Sequence, residues 1–233
     1  NGGDVKANSS FASDTGFSYS TSYTLITNGV MMVHEDGVRL TSRASRALVQ
    51  ANPGSFFLTG TTLYVSASDG SDIRTNGKVY EVPGRTVNIY TNGKDFIVIR
   101  NLHTIRTNGN DTTYGGIVVS GSDNLVEYVE SHDHRRHAVQ ILSEAGINGN
   151  RNIVQYSNLY DSWVTYVISV FQQNVVTVTC ADNIIRYNDI HDAPAGSVAG
   201  LITIHGADGT HQVLRTKIHG NRLYNSYSTN QSN

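Results

Sequence analysis

Short strand-like runs with aliphatic residues in alternation recur through the C-terminal part of the chain. Ile117-Val118-Val119, Val139-Gln140-Ile141, Ile168-Ser169-Val170 and Ile202-Thr203-Ile204 share one register. Three of the four read apolar-polar-apolar, the period-2 pattern of a half-buried strand. A second column follows in each repeat: Ile97-Val98-Ile99-Arg100-Asn101-Leu102-His103, then the segments starting at Val126, Val154, Ile185 and Ile218 and ending at His132, Tyr160, His191 and Tyr224. Their starts are separated by 29, 28, 31 and 33 residues. A third column places Asp95, Asn124, Asn152 and Asn183 just ahead of these segments. Asn and Asp tolerate left-handed backbone and bond their own main chain, so they mark turns.

A repeat of about 20–50 residues implies a solenoid, propeller or array. Short strands and polar turns without a helical period narrow this to one coil of a parallel β-helix per repeat. Like faces then stack into a continuous core. The predicted fold is all-β: a single right-handed parallel β-helix over residues 52–233, with an irregular N-terminal cap region over 1–51. Ile97, Ile99, Leu102, Val126, Val139, Ile141, Val154, Ile168 and Ile204 are expected to point inward. Upstream, Phe56-Phe57-Leu58 and Leu63-Tyr64-Val65 read as two strands around the Gly60 turn. Val79-Tyr80-Glu81-Val82 and Val87-Asn88-Ile89-Tyr90 read as two more, split by Pro83-Gly84.

Composition agrees with a sheet whose strands are nearly all central. Only 3 of 233 residues are proline, and proline removes a ladder donor. The net charge of −2 gives no case for nucleic acid or an anionic membrane surface. The single cysteine, Cys180, excludes an internal disulfide. No apolar stretch approaches the ~20 residues of a membrane-spanning helix. The polar ends without an initiator methionine read as a processed protein or a piece of a longer one.

The coils from Asp95 to Tyr224 resemble the right-handed parallel β-helix of the pectate-lyase-like superfamily. Pro53-Gly54-Ser55-Phe56-Phe57, Thr62-Leu63-Tyr64-Val65 and Asp69-Gly70-Ser71-Asp72 are similar to a segment that often precedes the helix in bacterial carbohydrate-active members. That segment usually continues Asp-Pro, whereas Ile73 follows Asp72 here. The superfamily includes polysaccharide lyases, uronate epimerases, glycoside hydrolases, phage tailspikes and adhesins, and fold alone does not choose among them. The resemblance implies a polysaccharide partner and a secreted or extracellular location, with the periplasm and cell surface as alternatives. It implies a monomer, or a trimer for a tailspike-like chain.

The densest polar run is His132-Asp133-His134-Arg135-Arg136-His137. Stacking brings Arg106 and Tyr114 toward it from one side, and Asp161, Trp163 and Tyr166 from the other, with Asp192 and His205 beyond. Three chemistries suit this set. Proton abstraction beside a uronate carboxylate would use Arg135 or Arg136 as a bidentate clamp. His134 or His137 would be the base and Tyr166 or Tyr114 the acid. Mannuronan epimerases and related lyases carry a Tyr, His, Arg and Asp set on such a face. Asp133-His134 resembles their Asp-Pro-His element without its proline. Glycoside hydrolysis would instead pair two of Asp133, Asp161 and Asp192. A non-catalytic module is the third reading, since Asp in β-helix turns satisfies backbone donors and matching side chains simply stack. The residues specify no cofactor and leave a metal open. Ca²⁺ is the ion to consider, with Glu130, Asp133, Asp161 and Asp189 as oxygen donors. No zinc site is expected, because His132, His134 and His137 lack the helical i, i+4 spacing.

Overall fold

The computed structural model describes residues 3–23, 32–108, 115–173, 177–193, 200–208 and 211–226. The chain divides into two compact units, Gly3–Gly84 and Arg85–Asn233. Tyr114 lies outside the described residues. No helix among those described is long and apolar enough to cross a membrane.

Among its described residues, the N-terminal unit is built from two small sheets. In one, Ser18–Ser22, Thr62–Ser66 and Ser55–Thr59 are antiparallel neighbours. The hairpin between the last two turns at Gly60, whose φ of 55° is the left-handed conformation glycine adopts freely. The other sheet pairs Tyr80–Pro83 antiparallel with Gly3–Lys6 and with His34–Glu35. A six-residue helix, Arg46–Ala51, is capped by the Ser45 hydroxyl, which accepts from Leu48 N at 3.4 Å. Phe56, Leu63, Val65, Ile73 and Tyr80 form this unit's core. Residues 52–84, expected in the β-helix, therefore belong with the N-terminal unit. A run of alternating residues fits a hairpin as well as a coil, and period 2 does not separate the two.

Among the described residues, the second unit is a parallel β-helix of five successive coils. Each coil contributes one strand to each of three parallel sheets. Sheet A stacks Ile89–Tyr90, Gly115–Ser120, His137–Ser143, Ile168–Gln172 and Ile202–Gly206. Sheet B stacks Val98–Arg100, Leu125–Glu127, Ile153–Gln155, Ile184–Arg186 and Lys217–His219. Sheet C stacks His103–Ile105, Glu130–His132, Asn158–Tyr160, Asp189–Ala193 and Arg222–Ser226. Ile117, Val139, Ile168 and Ile202 are register partners in sheet A, as the sequence pattern predicts. Together with Val126, Val154, Ile185, Leu159 and Ile190 they line one core. Each fully buried aliphatic side chain there contributes about 1.5–3 kcal/mol.

The first coil departs from the predicted alignment. Ile99, not Ile97, pairs with Val126, and His103 pairs with Glu130 rather than His132. Ile97 and Leu102, expected inside, are 37% and 44% exposed. Ile204 in the last coil is 39% exposed, because no further described coil stacks on it.

Every coil turns through left-handed residues at fixed columns. One holds Phe96, Asp123, Arg151, Asp182 and Arg215, another Asn101, Tyr128, Tyr156 and Tyr187, and a third Arg106, Asp133, Asp161, Asp192 and Asn225, all with φ between 47° and 60°. Bidentate pairs tie Arg151 to Asp123 and Arg215 to Asp182 along the first column. Asn124, Asn152 and Asn183 of the predicted column form a buried ladder, whereas Asp95 is exposed and two residues ahead of their register. Asn152 Oδ1 accepts from Asn124 N at 3.0 Å while its Nδ2 donates to the Gly121 carbonyl at 2.9 Å. Asn183 repeats both bonds one coil later. Asn152→Ala would strand one buried donor and one buried acceptor. It is expected to cost about 2–4 kcal/mol in urea unfolding.

Candidate active-site cavity

The expected polar cluster sits where the chain leaves sheet C and enters sheet A. The turn column itself explains Asp133, Asp161 and Asp192, since Asp and Asn are the side-chain-bearing residues that best tolerate positive φ. Asp133 is buried against Arg106, whose Nε lies 3.4 Å from Oδ2. Asp192 accepts from Asn225 at 2.9 Å and contacts His191 Nδ1 at 2.7 Å. These aspartates do not line the cavity described next.

Beyond this turn, Arg136, His137, Thr165, Tyr166, Phe171 and His205 enclose a cavity of about 170 Å³. His137 and the Thr165-Tyr166 pair come from adjacent coils at the entrance to sheet A. His137 Nδ1 lies 2.9 Å from the Tyr166 carbonyl oxygen and 3.3 Å from Thr165 Oγ1. The carbonyl can only accept, so it holds the Nδ1–H tautomer and leaves the lone pair on Nε2. The His205 ring packs on Phe171 at 4.5 Å and near Tyr166 at 6.5 Å. Four of the residues predicted to act therefore share one cavity. Arg135 and Trp163 do not line it. Arg135 is buried, and its burial, then the charge of Arg136, push its guanidinium below the ordinary value. Trp163 is fixed through its backbone N–H to the His134 carbonyl at 2.9 Å. Thr165 and Phe171 were not among the expected residues. Phe171 follows Val170 in a strand and therefore points to the opposite, outer face.

His134 is in a different place. It is completely buried, with Thr107 Oγ1 3.0 Å from Nδ1 and Ser131 Oγ 3.0 Å from Nε2. Ser131 also takes a bond from Thr104 and donates to the Ala138 carbonyl. A Cβ on Gly116 would overlap His134 Nε2, so glycine makes the room. His134 is an interior hydrogen-bonding residue and cannot meet a substrate, which corrects the base role expected of it. Burial lowers its pKa from 6.5 to about 3. The folded chain keeps it neutral while the unfolded chain protonates it below pH 6.5, so stability falls as pH drops through that window. Between about pH 7 and 4.5 the loss from this residue should be about 2–3 kcal/mol. Urea melts at both pH values should show a shallower pH dependence in His134→Gln.

The outer face of sheet C carries a second arrangement. His103, His132, Tyr160, His191 and Tyr224 form a continuous ring column with centroid spacings of 4.9, 4.4, 4.7 and 4.6 Å. Tyr128, Tyr156 and Tyr187 form a parallel column at 5.4 Å spacings. This second column is an exposed ladder at the left-handed corner between sheets B and C rather than in a strand. A shallow trough of about 460 Å³ lies between the columns, with Asn158 and Asp189 among its lining residues. Rings stacked face to face turn their edges outward, so the trough offers C–H edges and hydroxyls rather than open π faces. Burial, then the Glu130 carboxylate, raise Tyr160 well above the usual phenol range. The sequence signal for this face was the strand alternation of Asn158 with Tyr160 and of Asp189 with His191.

No protein-family model and no curated protein matches the chain. Among solved structures, the complex of XylC with xylose is similar in fold, with a TM-score of 0.64 at 14% identity. The likeness covers 96% of this chain and 51% of that one, so the chain spans about half the length of this neighbour. Both the strand pairing and this likeness establish a parallel β-helix.

Proposed function

We propose that the chain acts on an extended, uronate-containing polysaccharide by removing the proton beside a carboxylate. The observation that carries this reading is the meeting of Arg136, His137, Tyr166 and His205 around one cavity. In it, Arg136 binds the substrate carboxylate and stabilises the charge that builds on it. His137 Nε2 takes the C5 proton, because its other nitrogen is held by the Tyr166 carbonyl. In β-elimination the C5–H and C4–O bonds break, a C4–C5 double bond forms, and the Tyr166 hydroxyl protonates the departing oxygen. In epimerisation Tyr166 instead returns a proton to the opposite face of C5.

A cavity of this size is smaller than the ~300–1,000 Å³ typical of small-molecule pockets, as suits one subsite along a polymer. The resemblance to the pectate-lyase-like superfamily supports the same substrate class, and the solved neighbour of like fold is described in complex with xylose, a sugar. With such a substrate the protein belongs outside the cell, in the periplasm or on the cell surface. Incubation with a panel of polyuronates and neutral glycans tests the reading. The expected result is an unsaturated or epimerised uronate product. Turnover of neutral glycans alone, dependent on Asp133 or Asp161, would favour hydrolysis. Binding without turnover would leave a non-catalytic glycan-binding module.

A further inference from the structure

We propose that His103, Glu130 and His132 form a binding site for a divalent transition-metal ion, best suited to Zn²⁺, on the outer face of sheet C. Glu130 and His132 are two residues apart in one strand, so both side chains leave the same face. His103 comes from the preceding coil, directly opposite Glu130 in the register. One ligand atom from each of the three lies within 4.8 Å of the others. The two Nε2 atoms face each other at 2.8 Å. One must donate and the other accept, so a single shared proton occupies the position a metal would take. Two nitrogens bound at about 2.1 Å in a tetrahedral site stand about 3.4 Å apart. A small opening of the exposed His103 side chain admits the ion.

Glu130 is already oriented for this task. Tyr160 donates to its Oε1 at 2.9 Å, the kind of outer hydrogen bond that fixes a ligating carboxylate. Two imidazoles with one carboxylate suit zinc and its neighbours, whereas calcium takes oxygen ligands. Three protein ligands on an open face leave a coordination position for water or for a substrate oxygen. The helical His spacing that signals many zinc sites is missing because the ligands here come from strands on two coils.

The test is calorimetric titration of chelator-treated protein with Zn²⁺, with Co²⁺ absorption as a second readout of geometry. The wild type should bind one ion per chain in the micromolar range or tighter, and Co²⁺ should give the intense visible bands of tetrahedral coordination. His103→Ala, at an exposed position that should leave the thermal midpoint unchanged, is expected to weaken binding by more than about 100-fold. Tyr160→Phe should weaken it by about tenfold. His219→Ala removes another exposed histidine from the same unit and should change nothing. Equal affinity in wild type and His103→Ala, or an equal loss in His219→Ala, would overturn the site and leave a proton-sharing imidazole pair. Neither result bears on turnover at the His137 cavity.

Discussion

Ile168→Asp is expected to prevent the β-helix from folding. Ile168 is completely buried in the sheet A strand of the fourth coil. It lies between Val139 and Ile202 of the coils on either side. An ionised carboxylate there has no partner, so the group must either stay charged in an apolar medium or take up a proton far above its ordinary pKa. Either course costs about 5 kcal/mol or more, comparable with the whole stability of a typical domain. The effect should not stay local, because each coil depends on its neighbours for the cover of its inner face. Circular dichroism and urea unfolding of the purified variant should show loss of the cooperative transition. Val98→Asp is the control. Val98 is 48% exposed on a sheet B strand, and its substitution should move the midpoint only slightly. A stable, cooperatively folding Ile168→Asp protein would mean that the aliphatic column is not the core.

The second large effect is expected at His137. Removing a positioned general base typically slows proton transfer by about 10²–10⁴-fold. His137→Ala should therefore lower turnover on any active polyuronate by that factor while the thermal midpoint falls little. Tyr166→Phe keeps the ring and the backbone carbonyl that holds His137, so its loss should appear in kcat rather than in folding. Arg136→Gln, which removes the clamp, should raise KM as well as lower kcat. His134→Gln separates the two histidines. Its effect should fall on stability, since the His134 imidazole is buried among interior hydrogen-bonding groups that include the Thr107 and Ser131 hydroxyls. Full activity in His137→Ala together with loss in Asp161→Asn would transfer the chemistry to the aspartate column.

Much of this architecture was legible because the coils repeat like residue types at like positions. The sheet A register of Ile117, Val139, Ile168 and Ile202 could be read directly, as could the Asn124–Asn152–Asn183 ladder. The first coil was misaligned by two residues for a definite reason. A slip of two preserves which side chains face inward, and Ile97 and Ile99 are equally aliphatic, so only the observed pairing distinguishes them. The hairpin of residues 55–66 was legible as two strands around the Gly60 turn, but its place in the N-terminal unit was not, because alternation marks strands and not the sheet they join. At the site, Arg136, His137 and Tyr166 could be named from adjacency on stacked coils. His134 was misread because its burial depends on interior hydroxyls from Thr107 and Ser131, which in sequence look like ordinary turn residues. The His and Tyr at the segment ends were visible as a column, but their union with Glu130 required knowing that His103 lies opposite it.

The central claim is proton removal at C5 of a uronate, and solvent deuterium reports it directly. A turned-over polyuronate incubated with the protein in D₂O, with C5 followed by NMR, distinguishes the outcomes. Epimerisation through His137 and Tyr166 predicts deuterium at C5 of the inverted residue. Elimination predicts loss of the C5 proton signal with a new C4–C5 double bond. Both should disappear in His137→Ala. A polysaccharide cleaved with its C5 protons fully retained, or one left wholly unchanged by the wild-type protein across the panel, would contradict the assignment.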